Sequence, residues 1–396
     1  MKNMQEVGSG ETLNSADIGL IKNSGQRNGK SLEEDHSKSD ESSLNKKNSK
    51  YGISVIVCCY NGEKTIHSCL QALRNQKLDS NIPWELILVD NNPLESITKI
   101  AIEEWPSSKI EMKIVNEKKE GLLYAKLRGY RESEYTLLAY VEDDTILKED
   151  WLNQAIMHFQ KHPKCGILGG TNEALYMIEP PYWLKGYKHQ LAVGDQGKQQ
   201  IEDVTSTRGY LWGAGMVIRK KILDAALLGG YTFADSKQRD HLVSGVDTEF
   251  CWLARTMGYR LYYNQNLKLT HVINAHRMSW INMQYLYRKL GNESISTDLF
   301  TYYYKENKSG PIIFLIMRIY LGSLRRYLSA IFRYVFFPGR KVNNLNFLMI
   351  WYYKGRMREV RFWNLSENIL MIKNLLHFLR YSKANKEQFN ESTSPN

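Results

Sequence analysis

The chain has little cysteine and little proline, and its first 50 residues hold no aromatic side chain. The five cysteines, Cys58, Cys59, Cys69, Cys165 and Cys251, show neither metal-site spacing nor an even disulfide framework. Free thiols in a reducing compartment are the expectation. Residues 1–50 contain no apolar stretch of the kind a secretory signal needs. They carry eight basic and eight acidic side chains among Ser, Asn and Gly, too little apolar surface to offset the entropy of ordering, so a disordered tail is expected. Internal repeats are absent. Acidic residues are scarce at the other end: residues 276–396 have 19 Lys+Arg against seven Asp+Glu, enough to account for the formal charge of +11. An anionic partner is expected to meet the protein there. No nucleic-acid motif accompanies that excess, so a membrane surface is the expected partner and nucleic acid is not.

What is present between these ends is a regular alternation. Residues 53–59 form a β-branched run broken at Tyr60–Asn61–Gly62. Thr65–Asn75 places Ile66, Leu70 and Leu73 on one helical face. Trp84–Val89 is a second apolar run ending at Asp90–Asn91–Asn92–Pro93. Leu94–Trp105 reads as helix, Ile110–Val115 as strand, Gly121–Arg131 as helix and Tyr135–Val141 as strand. This rhythm predicts an α/β fold with a mostly parallel sheet flanked by helices. Beyond it, Trp151–His162 and Asp247–Met257 read as helices. Ile167–Asn172, Gly209–Arg219, Tyr259–Tyr263 and Leu267–Val272 read as strands. A loop rich in Pro, Gly, Trp and Tyr, roughly 176–200, reads as ordered and substrate-facing.

The most informative stretch is Glu142–Asp143–Asp144, three carboxylates at the end of the Tyr135–Val141 run. In open α/β sheets ligands bind at that end of the strands. Carboxylates packed this closely repel one another unless a cation neutralises them. Hard oxygen ligands with no His or Cys beside them suit Mg²⁺ or Mn²⁺, which also hold phosphates. An acidic turn capping the next helix is the plainer alternative. Tyr60–Asn61 and Asp90 follow other strands of the same sheet, so all of these groups converge on one edge.

In this order the motifs resemble the family-2 glycosyltransferases with the GT-A fold, over roughly 51–275. The resemblance implies an inverting transferase that uses a nucleotide-sugar donor. Tyr60, Asn61, Glu63, Asp90, Arg128, Glu142 and Asp143 would bind that donor. Asp144 would ligate the metal, with His271 as a further ligand, and Arg277 and Arg288 would approach the diphosphate. Asp247, in Gly245–Val246–Asp247–Thr248–Glu249, would be the general base. The family usually has a glutamate where Val246 stands. Trp183, Trp212 and Glu249 would face the acceptor. For the individual residues, a helix N-cap at Asp247 and core packing at Trp212 are the plainer readings. Small residues at Gly121, Ala125 and Gly129 would equally serve tight packing of helix on sheet. Other functions stay open at this point: an inactive glycan- or lipid-binding relative, or a nucleotidyltransferase, whose Gly-rich signature is missing near Cys58–Gly62.

The C-terminal region, 276–396, is expected to be helical and basic. Ile312–Phe337 is long enough to span a bilayer, but Arg318, Arg325, Arg326 and Arg333 make spanning costly, at roughly 2.5–3.5 kcal/mol each near the centre. The four fall within an arc of about 100° on a helix. A helix lying in the membrane interface is therefore expected, followed by an aromatic and basic segment. That segment runs from Arg340 and Lys341 through Trp351, Tyr352, Tyr353, Lys354, Arg356, Arg358 and Arg361 to Phe362 and Trp363. Its expected acceptor is a glycan or polyprenyl-linked glycan, with the protein peripheral on the cytoplasmic face of the cell membrane.

Overall fold

The computed structural model of the chain describes residues 50–78, 82–92, 96–105, 110–233, 245–305, 312–337, 345–361 and part of 374–385. The expected tail before residue 50, and Arg340, Lys341, Phe362 and Trp363, lie outside the described residues. Strand β1 (Lys50–Cys59), helix α1 (Ile66–Arg74), β2 (Trp84–Asp90), α2 (Ser96–Glu104), β3 (Met112–Asn116), α3 (Leu122–Glu132) and β4 (Tyr135–Glu142) follow one another as the periodicity predicts. β1 pairs in parallel with β2 and β4, and β2 pairs in parallel with β3. Every residue of β1 from Gly52 to Cys59 is buried, because both faces of the sheet are covered. Ile53, Val55, Val57 and Cys59 pack on the α1 and α2 side. Ile56 and Cys58 pack on the α3 side. Strand alternation thus feeds two cores at once. Gly129 belongs to this packing, since a Cβ there would overlap the Ile56 side chain.

The rest of the sheet departs from the parallel expectation. After β5 (Thr145–Leu147) and α4 (Trp151–Lys161) come β6 (Cys165–Tyr176), β7 (Ile201–Asp203), β8 (Met216–Arg219), α5 (Lys220–Leu228), α6 (Val246–Thr256) and β9 (Arg260–Ile273). The order across the sheet is β3-β2-β1-β4-β8-β6-β9-β5, with β7 also on β9. β8 is antiparallel to both β4 and β6, whereas β6 and β9 are parallel. The expected strand 209–219 shrinks to its last four residues because Gly209 and Gly215 take positive φ, +77° and +72°, which strands do not tolerate. The two strands expected between 259 and 272 are one long strand, β9. All five cysteines are buried and unpaired, and burial pushes the Cys58 thiol up to about 12.

Beyond β9 the described residues include three long helices, α7 (Trp280–Phe300), α8 (Ile312–Phe336) and α9 (Leu345–Arg361). α7 and α9 cross at Gly291 and Gly355, where an added Cβ would strike the facing backbone at Tyr352 and Arg288. Arg356, expected at a membrane surface, is instead 8% exposed and paired with Asp298 of α7. Trp351 and Tyr352 pack against the cluster around Tyr287 and Leu348. Among the described residues no helix is long and apolar enough to cross a membrane.

Candidate active site

The polar ends of β1, β2 and β4 reach one edge because the three strands run parallel in register, Cys59 beside Asp90 and Cys58 beside Glu142. Asp90 is 1% exposed. Its carboxylate accepts the Asn92 backbone N–H at 3.1 Å and the Thr98 hydroxyl at 3.3 Å. Asn92 donates from Nδ2 to Asn61 Oδ1 at 2.9 Å, and Asn61 holds a left-handed φ of +56°. Asn91 ties in the loop before α3. Its Nδ2 donates to the carbonyls of Glu117 and Lys119, and its Oδ1 accepts the Gly121 N–H, each at 2.8 Å. Tyr60 stands half exposed at the rim and Glu63 is half-buried in the same turn. By residue type alone Asn91 and Asn92 read as turn formers.

The three acidic residues separate into two environments. Asp143 turns toward the β1–α1 turn, where Oδ2 accepts the Thr65 hydroxyl at 2.9 Å. A Cβ at Gly62 would overlap this carboxylate, so only glycine lets the turn close over it. Burial, then the charge of Asp144, push the Asp143 carboxyl up to about 7, against the Thr65 hydrogen bond. Glu142 and Asp144 face His271, and one ligand atom from each of the three lies within 4.8 Å of the others. The antiparallel pairing of β5 with β9 creates this meeting by setting Thr145 opposite His271. The Val272 N–H also donates to the Asp144 carbonyl at 2.8 Å.

Arg277 closes the cluster. Its Nη1 lies 3.1 Å from Asp144 Oδ2 and 2.9 Å from His271 Nε2. Asp144 Oδ2 is also 3.3 Å from that imidazole nitrogen. A guanidinium only donates, so Nε2 accepts from Arg277 or donates to Asp144, but not both. Burial pushes the Asp144 carboxyl up. The His271 hydrogen bond and the charges of His271 and Arg277 outweigh it and hold the group below the ordinary aspartate range. Burial and the Asp144 charge raise Glu142, opposed by His271 and Lys126. Asp144 Oδ1 and His271 Nδ1 are buried without a hydrogen-bond partner. Two carboxylates and an imidazole with such an orphaned oxygen fit a divalent cation such as Mn²⁺ or Mg²⁺.

Asp247 lies in the first turn of α6. Its Oδ1 accepts from Lys126 Nζ of α3, a side chain 1% exposed. Burial works against the Lys126 charge, but the charges of Asp247 and Glu142 outweigh it and raise its pKa. The ammonium also lies 5.3 Å from the centre of the Tyr140 ring. Gly213 presents its backbone to the Asp247 carboxylate so closely that a Cβ would overlap both oxygens. Lys126 was missed in the sequence because a lysine in a helix reads as solvent-facing. Its spacing from Leu123, Leu127 and Tyr130 is that of the buried face.

Two expected site residues turn elsewhere. Arg128 sits on the far side of α3 from Lys126 and pairs with Glu132 at 3.0 Å, because residues two apart in a helix point in nearly opposite directions. Glu249, expected at the acceptor, is 3% exposed and accepts the Tyr231 hydroxyl at 2.7 Å, so it faces the core. Trp212 is half-buried, with the Arg208 guanidinium 4.6 Å from its ring. Trp183 sits in a single 3-10 turn, Tyr182–Gly186, edge-on to Trp280 with ring centres 5.1 Å apart. Arg288 lies on α7 with its Nε buried and unpartnered.

Comparison with known proteins bears on this edge of the sheet. The chain is 20% identical over 233 residues to the glucosyl-dolichyl phosphate glucuronosyltransferase of Haloferax volcanii, a match covering 57% of this chain and 70% of that one. It is 22% identical over 212 residues to the glycosyltransferase AglE of the same organism, covering 53% of this chain and 64% of AglE. A crystal structure of GalNAc-T7 with UDP, GalNAc and Mn²⁺ superposes at TM-score 0.43 and 13% identity, over 67% of this chain and 52% of that one. The sequence model of "Glycosyl transferase family 2" matches residues 54–227. That segment contains Tyr60, Asp90 and Glu142–Asp144 and ends before Asp247 and His271, and over it the chain is similar to glycosyl transferase family 2.

Proposed function

We propose that the protein is an inverting glycosyltransferase that moves a sugar from a nucleotide-sugar to a hydroxyl of a glycan or lipid-linked glycan. The observation that carries this reading is the placement of Asp247. Its carboxylate is fixed by Lys126 and lies close enough to Glu142 for Lys126 to feel both charges. Asp90, Asn61 and Tyr60 shape the donor end, where a nucleoside can hydrogen-bond and stack. The acceptor enters from the side of Trp183 and Trp212, whose ring faces suit a pyranose. Asp247 takes the acceptor hydroxyl proton as that oxygen attacks the anomeric carbon. The bond from the anomeric carbon to the diphosphate breaks as the new glycosidic bond forms, and a single displacement inverts the configuration. Glu142, Asp144 and His271 would hold the metal, whose charge offsets that of the departing nucleoside diphosphate. Arg277 stands beside them as a second positive group.

The name of the Haloferax relative, a transferase for glucosyl-dolichyl phosphate, supports a polyprenyl-linked acceptor in cell-surface polysaccharide synthesis. Such an acceptor places the reaction at the cytoplasmic face of the cell membrane, with the protein peripheral. Thermal shifts with UDP, GDP, dTDP and CMP, with and without Mn²⁺, test the reading on wild type and Asp144→Asn. The expected result is stabilisation by one nucleotide that needs both metal and Asp144. At about 100 times its Kd such a ligand adds roughly 2.7 kcal/mol. Folded protein that responds to none of them would return the chain to the inactive, binding-only alternative.

A further inference from the structure

Helix α8 takes no part in this chemistry. One side of it is built into the protein. Leu315 and Ile319 pack against Ile295 and Leu299 of α7. Ser323 is buried and its hydroxyl accepts from Arg356 Nε of α9 at 3.0 Å. These contacts fix the roll of α8, so its other side is a fixed surface. Phe314, Met317, Leu321, Leu328, Phe332, Val335 and Phe336 stand there, each 53–68% exposed. At 100° per residue they fall within an arc of about 100°. Arg318, Arg325, Arg326 and Arg333, all exposed, fill an adjoining arc of about the same width, and the helix carries no acidic residue.

An apolar stripe this long is more than a monomer ordinarily leaves in water. A helix with such a stripe beside guanidinium groups matches a lipid interface, with the stripe at the acyl boundary and the arginines at the phosphates. Charge selects the occupant. A second copy packed by two-fold symmetry would set the arginine stripe against itself, whereas anionic headgroups neutralise it. We propose that this face of α8 docks on an anionic lipid surface and that docking brings the acceptor side of the site to the bilayer. A line of rings makes the connection. Tyr334 of α8 lies 5.3 Å from Phe347, Phe347 stacks on Trp280 at 6.3 Å, and Trp280 meets Trp183 at 5.1 Å. The end of the stripe at Phe332 and Phe336 is therefore the end nearest the loop that carries Trp183. The link to a lipid-borne acceptor rests on the transferase reading, while the docking does not.

Flotation of the full chain tests the docking, with vesicles of phosphatidylcholine alone or with about one third phosphatidylglycerol. The anionic vesicles are expected to bind the protein and the neutral ones to bind it at least tenfold more weakly. Changing the four arginines to Gln is expected to lower affinity more than a hundredfold, at about fivefold each. Changing Phe314, Leu321, Leu328 and Phe332 to Ser is expected to abolish binding even at low salt while the protein still melts cooperatively. The orientation has its own readout. Tyr182 is 77% exposed and the native thiols are buried, so an environment-sensitive dye on Tyr182→Cys is expected to shift to the blue on anionic vesicles. Equal binding to both vesicle types, no binding by folded wild type, or Ser variants that only dissociate an oligomer would overturn the docking. A dye that does not respond would overturn the orientation. Vesicle binding without any nucleotide response would leave the docking standing and remove the transferase reading.

Discussion

The two halves of the active-site edge are held in different ways. On the donor side, Asn92 bonds both Asp90 and Asn61, and Asn91 bonds the loop before α3, a set of hydrogen bonds that needs one charge, that of Asp90. On the transfer side charge meets charge: Lys126 with Asp247, and Arg277 with Asp144. Asn61 and Asn92 are 31 residues apart in sequence, but Lys126 and Asp247 are 121 apart and Asp144 and Arg277 are 133 apart. The donor side is therefore a local product of strand-end turns. The transfer side exists only once the whole sheet is assembled, and its most buried charge, that of Lys126, depends on a distant partner to remain tolerable.

The sharpest test of that difference is Asp247→Asn. Loss of a general base is expected to lower turnover by about 10²–10⁴, measured as nucleotide release with acceptor present. The same change leaves Lys126 buried and charged without its hydrogen-bonded carboxylate, a loss on the order of 3 kcal/mol. Lys126→Met should cost less stability, because the group it strands, Asp247, is 27% exposed. The double variant separates the two effects: it is expected to recover stability and remain inactive. Recovered turnover in the double variant would mean that Asp247 serves only to neutralise Lys126. A smaller effect is expected from Gly213→Ala. The new methyl displaces the Asp247 carboxylate and should lower turnover by roughly tenfold to a hundredfold, in line with the cost of misplacing a group by about 1 Å. Nucleotide binding on the donor side should not change, and a matching loss there would erase the distinction between the halves.

The same contrast decides what could be read in advance. The strands β1 to β4 announced themselves because each is an unbroken apolar run followed by a polar turn, and nothing beyond local pattern is needed to place Asp90 or Glu142. β5 and β7 are three residues each, too short for any periodicity to register. His271 could be placed as the residue after an apolar run, but only the β5–β9 register sets it beside Asp144. For Lys126 the signal was there, in its spacing from Leu123 and Tyr130, and residue type overrode it. Glu249 shows the converse, since a carboxylate two residues after Asp247 looked functional and the core claimed it through Tyr231. α8 was legible as amphipathic from its arginines, yet the sequence alone could not tell that Ser323 and Leu315 face protein while Leu321 and Phe332 face out.

Arg277 offers a test of intermediate size within the transfer side. Its guanidinium lies against Asp144 Oδ2 and His271 Nε2, on two of the side chains that would hold a cation. Arg277→Gln keeps a hydrogen-bonding side chain and removes the positive charge. Removing that charge should tighten Mn²⁺ binding in the absence of nucleotide by about tenfold, equivalent to roughly 1.4 kcal/mol, read by calorimetric titration. Unchanged affinity would show that the guanidinium and the metal do not compete.

The smallest expected effect is on the pH dependence of folding, and it concerns Asp143, which links the two halves through Thr65. Burial and the neighbouring Asp144 charge hold its carboxyl up at about 7, against about 3.9 in an unfolded chain. The folded protein therefore binds more protons than the unfolded chain between these values. Stability from this group is complete below about pH 4 and is lost as pH rises through about 7. In metal-free protein the melting temperature should fall across that interval by a few degrees. Glu142, raised by the same burial, contributes in the same direction. Asp143→Asn keeps an oxygen to accept the Thr65 hydroxyl and removes the titration, so its melting temperature should fall less over the same interval while its value at pH 5 stays close to wild type. An identical slope in the variant would mean that Asp143 is solvated well enough to ionise normally. The carboxylate repulsion at this edge would then be confined to Glu142 and Asp144, on the transfer side.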